Sequence, residues 1–257
     1  IDWWRLERGR YAALPPDAKQ AGELVASLHG HITAWDPITR APRWRVEHPG
    51  VFNGGLLATA GNLIFQGTER GEFAAYRADT GDRLWSFDGR TGIFAGPVSY
   101  AVGEEQYVTV MAGSGTVYGV AAGQVASFSL PPNASRVLTF RLDGTGTLPP
   151  AVVVDKSVPE PPMLIADADA LARGKTHYDT YCARCHGDNA VSGGVIPDLR
   201  RMTPDTHAAW QRIVHDGERQ GLGMIGFAQW LDATAVDEVH QYVISRARED
   251  RAAAAAP

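Results

Sequence analysis

The two cysteines of this 257-residue sequence stand three positions apart, in Cys182-Ala183-Arg184-Cys185-His186. That pattern, C-x-x-C-H, is the attachment signature of a c-type haem. The chemistry dictates the spacing. Two thiols add across the two vinyl groups of one porphyrin, and the histidine directly after the second thiol reaches the iron as proximal ligand. The covalent links fix the macrocycle without a large core. A zinc ribbon would need a second cysteine pair. A thioredoxin-like redox pair would need a βαβ setting, whereas this motif ends an isolated helix. With no other cysteine, a disulfide framework is excluded.

The sixth iron ligand is expected downstream, and the sequence has four methionines, Met111, Met163, Met202 and Met224. Met224 lies in Gly221-Leu222-Gly223-Met224-Ile225-Gly226-Phe227, a flexible loop before the last helix and 38 positions after His186. A loop can carry the sulfur across the haem face, and thioether ligation raises the reduction potential. Met202 is the second choice and His215 the third. Each methionine also has a plain reading as core filler. Pro197, in Ile196-Pro197-Asp198-Leu199, offers a carbonyl to the other nitrogen of the proximal histidine, a bond that fixes ring orientation. The competing reading is a turn proline. The remaining histidines (His29, His31, His48, His177, His207 and His240) read as surface or core residues.

These groups need a helical frame. From about Ala166, Ala170, Leu171, Gly174, Tyr178 and Tyr181 recur at helical spacing up to the cysteines. Thr234 with Asp237 three residues later reads as a capping box, and Val236, Val239, Tyr242 and Val243 follow on one face. Residues 166–250 therefore form an all-α domain, and 251–257 read as a disordered tail. Residues 129–165 are punctuated by Pro131-Pro132, Pro149-Pro150, Pro159 and Pro161-Pro162 and read as a connector with little regular structure.

Residues 1–128 read as β structure. Short apolar runs such as Asn62–Gln66, Gly71–Tyr76 and Gln106–Val110 are separated by Gly, Asp and Asn turns about ten residues apart, as in an antiparallel meander. Residues 34–44 (Ala34-Trp35 to Trp44) and 75–85 (Ala75-Tyr76 to Trp85) match at four offsets, 41 positions apart. A period near 40 with one Trp per unit is the signature of propeller blades, in which a Trp at a fixed offset packs between neighbours. Two Trp-ended turns matching by chance is the plainer alternative.

Composition sets the outer bounds. There are 24 Lys+Arg against 29 Asp+Glu, a net charge of −5, with 44% hydrophobic residues, which suits a folded globular chain. A mildly acidic chain with no basic stripe argues against nucleic acid as a partner. No apolar run approaches the ~18 residues of a transmembrane helix. The sequence starts Ile1-Asp2-Trp3-Trp4, with no Met, basic region or apolar run of a signal peptide. Either a leader was removed or the chain starts within a longer protein.

Further stretches carry a family likeness: Ala34-Trp35-Asp36-Pro37, Glu47-His48-Pro49-Gly50, Asn53-Gly54-Gly55, Ala58–Asn62, Phe65-Gln66-Gly67-Thr68, Gln106-Tyr107-Val108 and Arg136–Phe140, followed by C-x-x-C-H. In this collinear order the chain resembles the C-terminal part of quinohaemoprotein alcohol dehydrogenases, enzymes with pyrroloquinoline quinone (PQQ) and haem c. The resemblance implies a β + α fold: the last blades of an eight-bladed β-propeller (1–128), joined by the linker 129–165 to a cytochrome c domain (166–250). About 128 residues at a 41-residue period make two to three blades, so the sheet edges are bare within this chain. The resemblance also implies alcohol oxidation to aldehyde, with single electrons passed through haem c to an external acceptor. It places Asn53, Gly54 and Val117 at the PQQ. At Gly113-Ser114-Gly115-Thr116 the family's Gly-Trp-Gly-Gly run is changed. Calcium ligands and the catalytic base are expected upstream of Ile1, so no catalytic residue is assigned in this segment, which alone is expected to be inactive.

The expected partners are a small-molecule alcohol and either a soluble redox acceptor (copper protein or cytochrome) or ubiquinone. Because haem c is attached outside the cytoplasm, a periplasmic location with an upstream signal peptide is expected. Primary, polyhydric and cyclic alcohols, and an alkaloid hydroxylation, all stay open. The alternative is a stand-alone c-type electron carrier with a β docking module.

Overall fold

The alternation of apolar and polar residues becomes three antiparallel sheets in the computed structural model, which describes residues 18–121, 123–151 and 153–255. Ile1 to Trp4 lie outside the described residues. The chain divides into two compact units. The sheet unit holds the described residues up to Gly119 together with Val125–Val154, and the helical unit holds Val120–Gln124 and the chain from Asp155 onward.

A helix, α1 (Ala18–Ala26), precedes the sheets. Strands β1 (His29–Asp36) and β2 (Ala41–Pro49) form a hairpin. Strands β3 (Leu56–Thr59), β4 (Leu63–Gly67), β5 (Glu72–Arg77) and β6 (Arg83–Asp88) form a four-stranded meander. Strands β7 (Val98–Val102), β8 (Glu105–Ala112) and β9 (Arg136–Arg141) form the third sheet. Helices α2 (Val117–Ala121) and α3 (Gly123–Ser129) fall between β8 and β9.

The 41-residue repeat is structural as well as sequential. The ladder shifts register between Ala34 and Trp35 in the β1–β2 hairpin, and between Ala75 and Tyr76 in β5–β6. The hairpin tips match too: Arg40 (φ 54°) and Gly81 (φ 79°) are both left-handed. A third copy is present, since Asn62 and Gly103, also 41 positions apart, each turn a hairpin with φ 62°. The Trp44 indole N–H donates to the Ala78 carbonyl at 3.1 Å. Its ring lies so close to Gly81 that a Cβ there would sit 2.7 Å from it. Trp44 thus ties the first hairpin to the turn of the next repeat.

Strand β5 is buried on both faces. Ala74 and Tyr76 pack with Ile32, Trp44 and Val46, whereas Phe73 packs with Val108, Val110 and Leu138 of the third sheet. The strand β9 lies within the stretch that the sequence reads as connector. Its Val137-Leu138-Thr139-Phe140 alternation turns Leu138 and Phe140 into the core and leaves Val137 exposed, and this burial outweighs the flanking prolines.

The helical unit has α4 (Ala168–Tyr181), α5 (Ala183–His186), α6 (Pro204–Ala208), α7 (Trp210–Val214) and α8 (Ala233–Ala255). Helices α4 and α8 meet at Gly174, where a Cβ would collide with the Glu238 carbonyl, so only glycine permits this approach. Two expectations change here. Asp232, not Thr234, caps α8: its Oδ1 accepts the Ala235 N–H at 2.8 Å, while Asp237 accepts the Gln211 amide. Residues 251–255 continue α8, the alanines being strong helix formers, rather than fraying as a tail.

Candidate functional site

Helix α4 starts at Asp167, whose carboxylate accepts the Ala170 N–H at 2.8 Å, and it stops at Cys182, whose N–H still reaches the Tyr178 carbonyl. The short helix α5 then carries Cys185 and His186. Gly187 ends it with φ 80°, and a Cβ there would collide with the Val191 carbonyl. The buried Tyr178 hydroxyl donates to the Gly187 carbonyl at 2.8 Å and fixes this corner. Both cysteines are free, Cys182 buried and Cys185 exposed. Burial pushes the Cys182 thiol up to about 12, with Cys185 and Asp179 adding to the shift.

The His186 ring is buried, and its Nδ1 lies 2.9 Å from the Pro197 carbonyl oxygen. A carbonyl can only accept, so Nδ1 carries the proton and Nε2 presents its lone pair. Burial holds the imidazole pKa below its ordinary value, against the opposing pull of the Pro197 bond and Asp198, so the ring is neutral near pH 7.

Met224 lies on a loop closed at its base by Phe227 N–H to the Val214 carbonyl (2.9 Å) and Ala228 N–H to the His215 carbonyl (3.2 Å). Gly217 and Gly226 touch across this base, and a Cβ on Gly217 would lie 2.9 Å from the Gly226 nitrogen. Met224 packs, half-buried, against the core of Tyr178, Cys182, Trp210 and Val239. Met202 is buried within that core. The His215 Nδ1 is 2.6 Å from an Asp216 carboxylate oxygen. The donor set suits haem c: two thiols, a neutral imidazole with a fixed tautomer, and a thioether on a loop.

In the sheet unit, Asn53 is half-buried, and its Oδ1 accepts the Glu69 N–H at 3.4 Å. Gly54 is buried and donates its N–H to the Gly67 carbonyl (2.8 Å); a Cβ would lie 2.8 Å from the Ile93 carbonyl oxygen. Val117 is 83% exposed at the start of α2, in a helix rather than a strand. The structure brings these stretches together through their neighbours, because Phe52 stacks on Tyr118 with ring centroids 4.5 Å apart.

The sequence reading missed Glu69. It is 1% exposed, its carboxylate accepts the Phe52 N–H at 3.1 Å, and burial raises its pKa. A Cβ on Gly50 (φ 82°) would overlap that carboxylate. Beside Thr68, Arg70 and Gly71 it reads as a solvated turn acid, and nothing local marks it as buried.

Residues 4–139 match the family model PQQ_2, described as outer membrane protein assembly factor BamB. Residues 169–243 match that of cytochrome c oxidase, cbb3-type, subunit III. The chain is 42% identical over 241 residues to quinohemoprotein alcohol dehydrogenase ADH-IIG of Pseudomonas putida, covering 93% of this chain and 33% of that protein. It is 40% identical over 227 residues to ADH IIB of the same species, covering 88% and 33%. The solved structure of ADHIIG from Pseudomonas putida HK5 superposes with a TM-score of 0.86 at 40% identity, covering 95% of this chain and 35% of that one. The chain thus spans about a third of the length of the curated relatives it matches.

Proposed function

Because this chain belongs to the quinohaemoprotein alcohol dehydrogenases, we propose that it is the C-terminal electron-exit part of an enzyme oxidising alcohols to aldehydes. When bound, PQQ accepts two electrons from the alcohol and haem c hands them on singly. In this chain, Cys182 and Cys185 would hold the haem as thioethers. His186 would supply Nε2 to the iron and Met224 its sulfur. The Pro197 carbonyl holds the imidazole in the ligating tautomer. Asn53 and Gly54, with Val117 across the Phe52–Tyr118 stack, would line the quinone: the Asn53 Nδ2 is a donor for a carbonyl or carboxylate, and Gly54 seats this stretch by packing against the Ile93 carbonyl.

The fold reading is a partial propeller. It is supported by three sheets on one 41-residue period, with the middle sheet covered on both faces. The outer face of the third sheet exposes Val98 (56%), Tyr100 (43%), Val102 (62%), Met111 (66%) and Val137 (63%), an apolar surface that a further blade would cover. Domains 1–128, 129–165 and 166–250 are kept in this reading, with β9 serving the propeller side. The location is periplasmic, where haem c is attached. The acceptor is a small redox protein or ubiquinone. No helix among the described residues is long and apolar enough to cross a membrane.

The observation that carries this reading is the His186 Nδ1–H bond to Pro197, which readies Nε2 beside two free thiols. The test is alcohol-driven reduction of the haem in the full-length holoprotein with PQQ and calcium. Reduction by at least one alcohol is expected. A covalently haem-loaded protein that no alcohol reduces, and that binds no PQQ, would instead be a c-type electron carrier with a β docking module.

A further inference from the structure

We infer that Arg200 is a positioning residue for the iron-ligating histidine, acting through Asp198 and the Pro197 carbonyl. The inference rests on the haem reading above. Arg200 is 8% exposed, and a guanidinium is costly to bury unless carboxylates surround it. Here it grips Asp198 with two prongs, Nε to Oδ1 at 3.0 Å and Nη2 to Oδ2 at 2.7 Å. Its Nη1 reaches the half-exposed Asp250 on α8 at 3.1 Å. The Arg200 backbone N–H also donates to the Asp198 Oδ1 at 3.1 Å. Asp198 therefore accepts three hydrogen bonds from Arg200, which tethers it in turn to the longest helix of its unit.

The link to the iron is the peptide bond between Pro197 and Asp198. A peptide unit is planar, so the Pro197 C=O and the Asp198 N share one rigid plane. Anchoring Asp198 fixes the direction of the carbonyl that accepts the His186 Nδ1–H. A firm bond at Nδ1 makes the imidazole a stronger donor at Nε2, which favours ferric iron. Loosening the anchor weakens that bond and favours ferrous iron.

Removing the arginine would also strip a positive charge from beside two carboxylates, and that change alone shifts the equilibrium toward ferric iron. Arg200→Lys separates the two effects, because it keeps the charge and loses the two-pronged grip. In the full-length holoprotein, this variant is expected to raise the haem midpoint potential by up to about tenfold in the ferrous/ferric equilibrium, 59 mV for one electron. The exchange lifetime of the His186 Nδ1–H, read by NMR in the reduced state, is expected to shorten by about tenfold, as for one weakened hydrogen bond. Backbone amides of α4 and α8 serve as the control and keep their lifetimes.

If Arg200→Lys does not fold, Asp250→Asn loosens the outer anchor alone, and the same exchange measurement is made, with a smaller shortening expected. An unchanged Nδ1–H lifetime in the folded variant overturns the inference and leaves Arg200 as a staple between the 198–201 turn and α8. Wild-type protein carrying no covalent haem would overturn the haem assignment, and this inference with it.

Discussion

The helical unit closes its candidate site on itself, and the sheet unit does not. Two thiols, an imidazole and the carbonyl that orients it all fall within residues 182–197, and the thioether loop is pinned to the same core. In the sheet unit the candidate quinone contacts lie in two stretches more than 60 positions apart, joined by the Phe52–Tyr118 stack, in a sheet stack with one outer face still apolar. A covalent cofactor needs few residues, close in sequence. A non-covalent one needs a chamber whose walls come from segments far apart in sequence.

The largest effect expected from this contrast is all-or-none. Cys182→Ala with Cys185→Ala should abolish covalent haem, read by haem staining after denaturing electrophoresis, while PQQ binding by the full-length protein persists. If both cofactors are lost together, the two sites are not independent. Next, Met224→Ala should lower the haem potential by removing the thioether, whereas Met202→Ala, within the core, should cost stability and barely move the potential. The reverse result would transfer the ligand role to Met202.

The same contrast explains what the sequence could show. The C-x-x-C-H motif stands out in the sequence because two thioether links and an adjacent histidine require a fixed spacing along the chain, whereas Met224 and Pro197 are named from loop context alone. The 41-residue repeat was legible from Trp44 and Trp85, but only for two copies. The third copy shows in its turn, Asn62 against Gly103, and not in its aromatics, because helices α2 and α3 stand where its next strands would fall and β9 arrives later to complete the sheet. Glu69 and the Arg200–Asp198–Asp250 clamp were not legible, since burial of a charge depends on partners brought from elsewhere. Thr234 was a reasonable cap by pattern, yet Asp232 takes the role two residues earlier.

Two substitutions probe how each unit is joined internally. Gly174→Val should destabilise the helical unit by about 3 kcal/mol, because the added methyls must push α8 away at Glu238. Its haem-band thermal transition should fall, with the sheet unit unaffected. Trp44→Ala should cost about 2 kcal/mol in the sheet unit, combining a lost hydrogen bond to Ala78 with lost packing on Gly81. An unchanged sheet transition would mean that the Trp does not tie one repeat to the next.

The smallest effect is a pH dependence confined to the helical unit. His207 Nδ1 and His240 Nε2 are 2.8 Å apart, and the His240 ring stacks on Trp210 at 4.6 Å. This bond needs one N–H and one lone pair, so it is lost when both rings are charged. Burial, with His207 adding to it, pulls His240 down to about 4, and burial lowers His207 as well; nearby Asp237 opposes the shift on His240. A folded-state pKa below the unfolded value of about 6.5 means that the unfolded chain binds more protons between the two. The pair's contribution is thus fully present above about pH 6.5 and is lost as the pH falls toward 4, by about 1–2 kcal/mol after allowing for partial exposure. Unfolding of the helical unit followed from pH 7 to 4 should show this slope, and His240→Phe should flatten it while keeping the stack on Trp210. An equal slope in the variant would assign the acid sensitivity to other groups, and an equal slope in the sheet unit would erase the difference between the two.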